Sequence, residues 1–204
     1  MNFDERFSQE IEAAIGQIEA ATDAEVVVVA CRQSDDYRDT VVLGGACVSA
    51  LMLVAVLFLP WTFSPLSVLE IHVASFLGGC LATWRSPTLR RILTTRRRRH
   101  REVDRRLQLE VTRQNLTATP ERNGVLVLVS LLEDRAVLHP DFGLERRVPR
   151  GELELCLEGL RPRRDGLEGL TAALTRLGMR LGAVWPKTAT DRDDLPNLPH
   201  VVTR

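Results

Sequence analysis

The sequence predicts an α/β fold, a helix-covered sheet interrupted by a two-helix transmembrane hairpin. Three observations carry this reading. VVVV at 26–29 and GVLVLVSL at 124–131 are apolar without alternation, as in strands covered on both faces by helices. Segments around them repeat apolar residues every three or four positions, the helical period. Residues 41–84 hold two long apolar runs separated by a short turn that contains proline.

Taken in order, Phe3, Phe7, Ile11, Ile15 and Ile18 share one stripe, and Asn2 and Glu5 stand in capping-box spacing. The spacing predicts a helix over roughly 3–21. A strand follows at 25–31. The first apolar run, Val41 to Phe63, is 23 residues without a charge. At about 1.5 Å per residue it covers a hydrocarbon core of roughly 30 Å. The second run, Leu66 to Trp84, has Glu70 and His72 in its first two turns, from which they are expected to reach the headgroups. Arginines follow at 85, 90, 91, 96–99 and 101. Arg96 to Leu116 then forms a long helix with Val103, Leu107 and Val111 on one stripe, expected to continue from the second span.

Downstream, the strand at 124–131 turns at Glu133 and Asp134 and pairs as a hairpin with a third strand at 135–139. Leu153, Leu157 and Leu160 mark one helix, and Leu167, Leu170, Leu174, Leu177, Leu181 and Val184 another, which Pro186 stops. The predicted organisation is a first domain part at 1–39, the hairpin at 40–84, a second domain part at 85–186 and an extended tail at 187–204. Without the hairpin about 160 residues remain, enough for a single core of ordinary size.

Charge places the chain before any motif does. The totals balance at 27 basic and 27 acidic residues, but the arginines gather directly after the second run. Because Asp35, Asp36, Arg38 and Asp39 precede the hairpin and its turn is uncharged, the positive-inside bias puts both termini and the domain in the cytoplasm. MNFDERFSQE lacks a basic region followed by an apolar core, so no cleavable signal is expected there. Cys31, Cys47, Cys80 and Cys156 show no zinc or redox spacing and read as reduced apolar fillers.

The stretches ATDAEVVVV at 21–29, NLTATPERNGVLVLVSLLEDRAVLHPDFGLE at 115–145, GLTAALTRLG at 169–178 and DRDDLPNLP at 191–199 run in the order of the TPM-domain family. The chain resembles the short bacterial membrane forms of that family, which carry a hydrophobic insertion at the same place. The resemblance implies a small α/β/α sandwich. Arg122, Asn123 and Gly124 look like the entry to its central strand, and Asp141, Phe142 and Gly143 like the turn closing its hairpin. Other branches are linked to phosphatase activity, divalent-metal binding and membrane-protein maintenance such as photosystem repair, while the bacterial membrane forms have no assigned reaction. This chain departs from the longer secreted members in lacking their signal peptide and Gly-rich tail.

Several catalytic motifs fail on context. His139-Pro140-Asp141 spells the tripeptide of J-domain cochaperones but ends a strand. Asp141-Phe142-Gly143 spells a kinase magnesium triplet, without the other kinase motifs. Cys31 has Tyr37, not arginine, six positions on, and Ser130 lacks a nucleophile elbow.

Two constellations remain. Asp35, Asp36, Glu133 and Asp134 follow the ends of the first two strands. If those strands are parallel, the acids stand at the edge where open α/β sheets bind ligands, as oxygen donors suited to Mg²⁺ or Ca²⁺. Arg85, Arg90, Arg91, Arg96, Arg97, Arg98, Arg99 and Arg101 are expected to bind the headgroups of an anionic bilayer at about 1 kcal/mol each. Without interleaved aromatics they are not expected to bind nucleic acid. The functional expectation is an interaction or scaffold module at the cytoplasmic surface of a bacterial inner membrane, with another membrane protein as partner. The alternative is a divalent-metal-dependent phosphatase.

Overall fold

In the computed structural model, residues 1, 3–116, 121–188 and 200–202 are described. The chain divides into two compact units, Met1–Asp35 with His100–Arg204, and Asp36–Arg99.

The first unit is a three-layer α/β/α sandwich. Its sheet comprises β1 (Val26–Cys31), β2 (Val125–Ser130), β3 (Arg135–Pro140) and β4 (His200–Val202), in the order β3-β2-β1-β4. β1 is parallel to β2, with Val26 opposite Val125, and parallel to β4, with Val29 opposite His200. β2 and β3 form an antiparallel hairpin. Every residue of β1 and β2 is buried, because both faces of the sheet are covered. One face, through Val26, Val28, Val125, Val127 and Leu138, packs on α1 (Glu5–Glu19), α6 (Phe142–Glu145), α7 (Arg150–Leu155) and α8 (Pro162–Val184). The other, through Val27, Val29, Leu126 and Leu128, packs on Val103, Leu107 and Val111 of α5 (Arg96–Arg113).

Several boundaries differ from the sequence expectation. α1 begins at Glu5, with Asp4 as its cap accepting from the Phe7 N–H at 3.0 Å; the expected Asn2 cap lies outside the described residues. The 187–204 tail is not merely extended, since its residues 200–202 add β4 to the sheet edge. α8 holds a kink at Gly166, whose φ of 64° is the left-handed region that suits glycine.

The second unit contains α2 (Arg38–Phe58), α3 (Pro65–Arg85) and α4 (Pro87–Leu93). α2 and α3 are each 21 residues, or about 31 Å. Both are long and apolar enough to cross a membrane, and they are largely exposed. They pack closely because Gly44, Gly45 and Gly79 lie at the contact. A Cβ on Gly79 would stand 2.8 Å from Val48 Cβ and 3.0 Å from the Gly44 oxygen, and one on Gly45 would meet Cys80 Sγ and the Phe76 oxygen. Small residues at such contacts let helix backbones approach closely.

The expected continuous helix from α3 into α5 is absent. Ser86 and Thr94 are both extended. The residue before a proline avoids helical geometry, so Ser86-Pro87 ends α3 and starts α4 at once. Between the two long helices, the His72 Nδ1 lies 2.7 Å from the Ser49 hydroxyl.

Candidate functional site: the basic flank and the polar strand ends

Two places carry the sequence-predicted residues. The first is the end of the hairpin from Arg85 to Arg99, where seven arginines occur without an acid. Arg98 is committed to the protein. Its guanidinium forms a two-pronged ion pair with Asp39, Nη2 donating to Oδ1 at 2.8 Å, and its Cζ lies 5.5 Å from the centre of the Tyr37 ring. Nearby, the Thr40 and Thr94 hydroxyls bond at 3.1 Å. These contacts fasten the start of α2 to the chain leaving α4. Arg90, Arg91 and Arg99 are half-buried, whereas Arg85, Arg96 and Arg97 are exposed. Arg101, also exposed, belongs to the first unit, 3.5 Å from Glu102. The arginines are thus not one uniform cluster. Sequence alone does not separate the locked ones from the open ones, because Asp39 is 59 positions from Arg98.

The second place is the C-terminal end of β1 and β2. The parallel pairing sets Cys31 beside Ser130. The Cys31 thiol donates to Ser130 Oγ at 3.5 Å, as does Ser34 Oγ at 3.1 Å, and Ser130 donates in turn to Glu133 Oε2. The other Glu133 oxygen accepts from the Ser34 N–H at 3.0 Å. Burial pushes the Cys31 thiol above its ordinary value, against the smaller opposing effect of its bond to Ser130. It is therefore a thiol at neutral pH and a poor nucleophile. Buried polar groups that satisfy one another in this way tie two strand ends together.

The four expected acids take separate roles. Glu133 belongs to this network. Asp134, in the left-handed region at φ 57°, accepts from the Arg163 N–H at 2.9 Å and so caps the first turn of α8. Asp35 ends the first unit and Asp36 begins the second, 3.4 Å from Arg38. Among the described residues no group of three or more His, Cys, Asp or Glu side chains stands where it could hold a metal ion. Both Glu133 oxygens and Asp134 Oδ1 accept hydrogen bonds from donors of the protein itself.

The Asp141-Phe142-Gly143 turn also serves the fold. Asp141 accepts a forked pair from Arg122, Nε at 2.7 Å and Nη2 at 3.0 Å, and caps α6 through the Phe142 N–H at 2.7 Å. Asp141 holds the Arg122 guanidinium above its ordinary value. A Cβ on Gly143 would collide with the carbonyl oxygens of Glu121 and Arg122, so glycine is required by close approach. At the other end of the sheet, burial pushes the Asp23 carboxyl up. Thr188 outweighs it, donating to both oxygens at 2.8 and 2.6 Å, and with Lys187 leaves the carboxyl below its usual range.

No family model matches the chain, and no curated protein matches it. Among solved structures, the chain is similar to the NMR structure of the BA42 protein from the psychrophilic bacterium Bizionia argentinensis, with a TM-score of 0.55 and 16% identity over 98% of this chain and 97% of that one. At that identity the likeness concerns the fold, and it supports the mixed α/β architecture described above.

Proposed function

We propose that this chain is a membrane-anchored, TPM-like α/β domain that acts as an interaction or scaffold module at the cytoplasmic face of a bacterial inner membrane. The observation that carries this reading is the pair of long apolar helices, exposed along their length and followed at once by exposed arginines. Exposed apolar surface of that extent is costly in water and matched to hydrocarbon. The positive flank supports the cytoplasmic side. The order of the TPM-like stretches supports the family, and the three-layer sandwich agrees with it.

A binding role is favoured over a catalytic one by the strand ends. There the thiol, hydroxyl and carboxylate groups bond to one another and to backbone. The test is purification of the full chain from native membranes in a mild detergent. A membrane protein recovered in fixed stoichiometry, and lost from a chain lacking the α/β unit, is the expected result. Chelator-sensitive hydrolysis of a generic phosphoester, abolished in a Glu133→Gln, Asp134→Asn variant, would replace this reading with the metal-dependent phosphatase.

A further inference from the structure

α4 is a discrete segment that neither apolar run announces. Pro87 opens it, the Ser86 hydroxyl accepts from the Leu89 N–H at 3.3 Å, and the Thr94 N–H closes it on the Arg90 oxygen at 3.0 Å. It packs against both α2 and α3, yet none of its residues is buried. Leu89 and Ile92, three positions apart, share one helix face. Both are exposed, Ile92 at 73%. Exposed apolar surface on a short helix bracketed by arginines is the pattern of a segment lying in the membrane interface, apolar face inward and cations toward headgroups.

What covers this face follows from its neighbours. The exposed apolar surface of α3 ends at Trp84, itself 62% exposed, and Trp61 stands exposed beyond the other end of the hairpin, 6.3 Å from the Phe63 ring. Tryptophans mark the two interfaces of a bilayer. From Pro65 at the start of α3 to Trp84 is about 29 Å of helix, close to the hydrocarbon thickness. Trp84 therefore marks the interface on the arginine side, and α4 begins three residues later. Among the arginines, Arg98 is spent on Asp39, while Arg85, Arg96 and Arg97 are exposed at the two ends of α4. Charge complementarity and continuity with the spanning surface name the same occupant.

We propose that α4 is an interfacial anchor for anionic phospholipid, with Leu89 and Ile92 seated at the acyl boundary and Arg85, Arg96 and Arg97 on the headgroup phosphates. This rests on the hairpin spanning the bilayer, as proposed above. It makes the arginine flank selective for lipid charge, not only a determinant of topology.

The test uses the full chain in nanodiscs, with Cys47→Ala, Cys80→Ala and Cys156→Ala; Cys31 is buried and stays. A nitroxide is placed singly at Ile92→Cys, at Leu51→Cys in the middle of α2, or at Glu12→Cys on α1. Its collisions with a water-soluble nickel chelate are then measured. In discs of phosphatidylcholine mixed with phosphatidylglycerol, the Ile92 label should collide several-fold less than the Glu12 label. It should return toward the Glu12 value in phosphatidylcholine alone, or when Arg85, Arg96 and Arg97 are all changed to glutamine. An Ile92 label as accessible as Glu12 in the anionic discs, while Leu51 is shielded, overturns the anchor. Equal shielding in both lipids overturns its dependence on headgroup charge. An accessible Leu51 label overturns the spanning hairpin itself, and the anchor with it.

Discussion

Gly143 decides between two readings of its triplet. Its neighbours Glu121 and Arg122 pass so close that a methyl group has no room, and Asp141 is consumed by Arg122 and the α6 cap. Gly143→Ala should therefore destabilise the α/β unit by about 1–3 kcal/mol, the usual cost of overpacking. Denaturant unfolding of the detergent-solubilised chain, followed by near-ultraviolet circular dichroism, measures it. Glu133→Ala should cost a similar amount, about 1–3 kcal/mol, because the Ser34 N–H and Ser130 hydroxyl lose their acceptor.

His139 adds a pH dependence. Burial, then the nearby positive Arg150, push its imidazole below the ordinary value. The folded state thus binds this proton less readily than the unfolded chain does. The stability involved is present above an unfolded pKa of about 6.5 and is lost as pH falls below it toward the folded value. His139→Gln should flatten the loss of melting temperature between about pH 7 and pH 5. An unchanged profile would show that other groups set it. These residue-scale roles were scarcely legible in the sequence. Asp141-Phe142-Gly143 and Glu133-Asp134 look like chemistry because the same residue types that hold ligands also hold turns and caps. Only the pairing of residues far apart in the chain, such as Ser34 with Glu133, separates the two.

At the scale of elements, periodicity was legible wherever an element is long or fully buried. β1, β2 and the β2–β3 hairpin, α1, α5 and the two apolar helices stand within a few residues of where their patterns place them. Short elements were not legible. α4 has seven residues and β4 three, too few to show a period, and the break before α4 turns on the single dipeptide Ser86-Pro87. Small residues in the hairpin are a further case, since sequence does not say which glycine faces the partner helix. Gly78 and Gly79 are adjacent. A Cβ at Gly78 meets nothing within 4 Å, whereas at Gly79 it strikes α2. Gly79→Ile should lower the melting temperature of the purified chain in detergent and Gly78→Ile should leave it near wild type. Equal effects would mean that α2 and α3 do not pack through this seam.

For the whole molecule, the sheet, its hairpin and its helix-covered faces followed from sequence because burying both faces of a parallel pair demands unbroken apolar runs. The likeness to the BA42 structure agrees with that architecture at 16% identity, where packing patterns survive and site chemistry does not transfer. What the molecule does depends first on whether Asp36–Arg99 crosses a bilayer and which side keeps the α/β unit. The most direct measurement is thiol accessibility in intact cells. It compares cysteines introduced one at a time, at Thr62→Cys in the turn between α2 and α3 and at Glu12→Cys on α1, in a chain whose one remaining native cysteine is the buried Cys31. A membrane-impermeant maleimide should label Thr62→Cys from outside at once, and Glu12→Cys only after the inner membrane is permeabilised. Labelling of Glu12→Cys in intact cells, or protection of Thr62→Cys until permeabilisation, would contradict a twice-crossing hairpin with its domain in the cytoplasm.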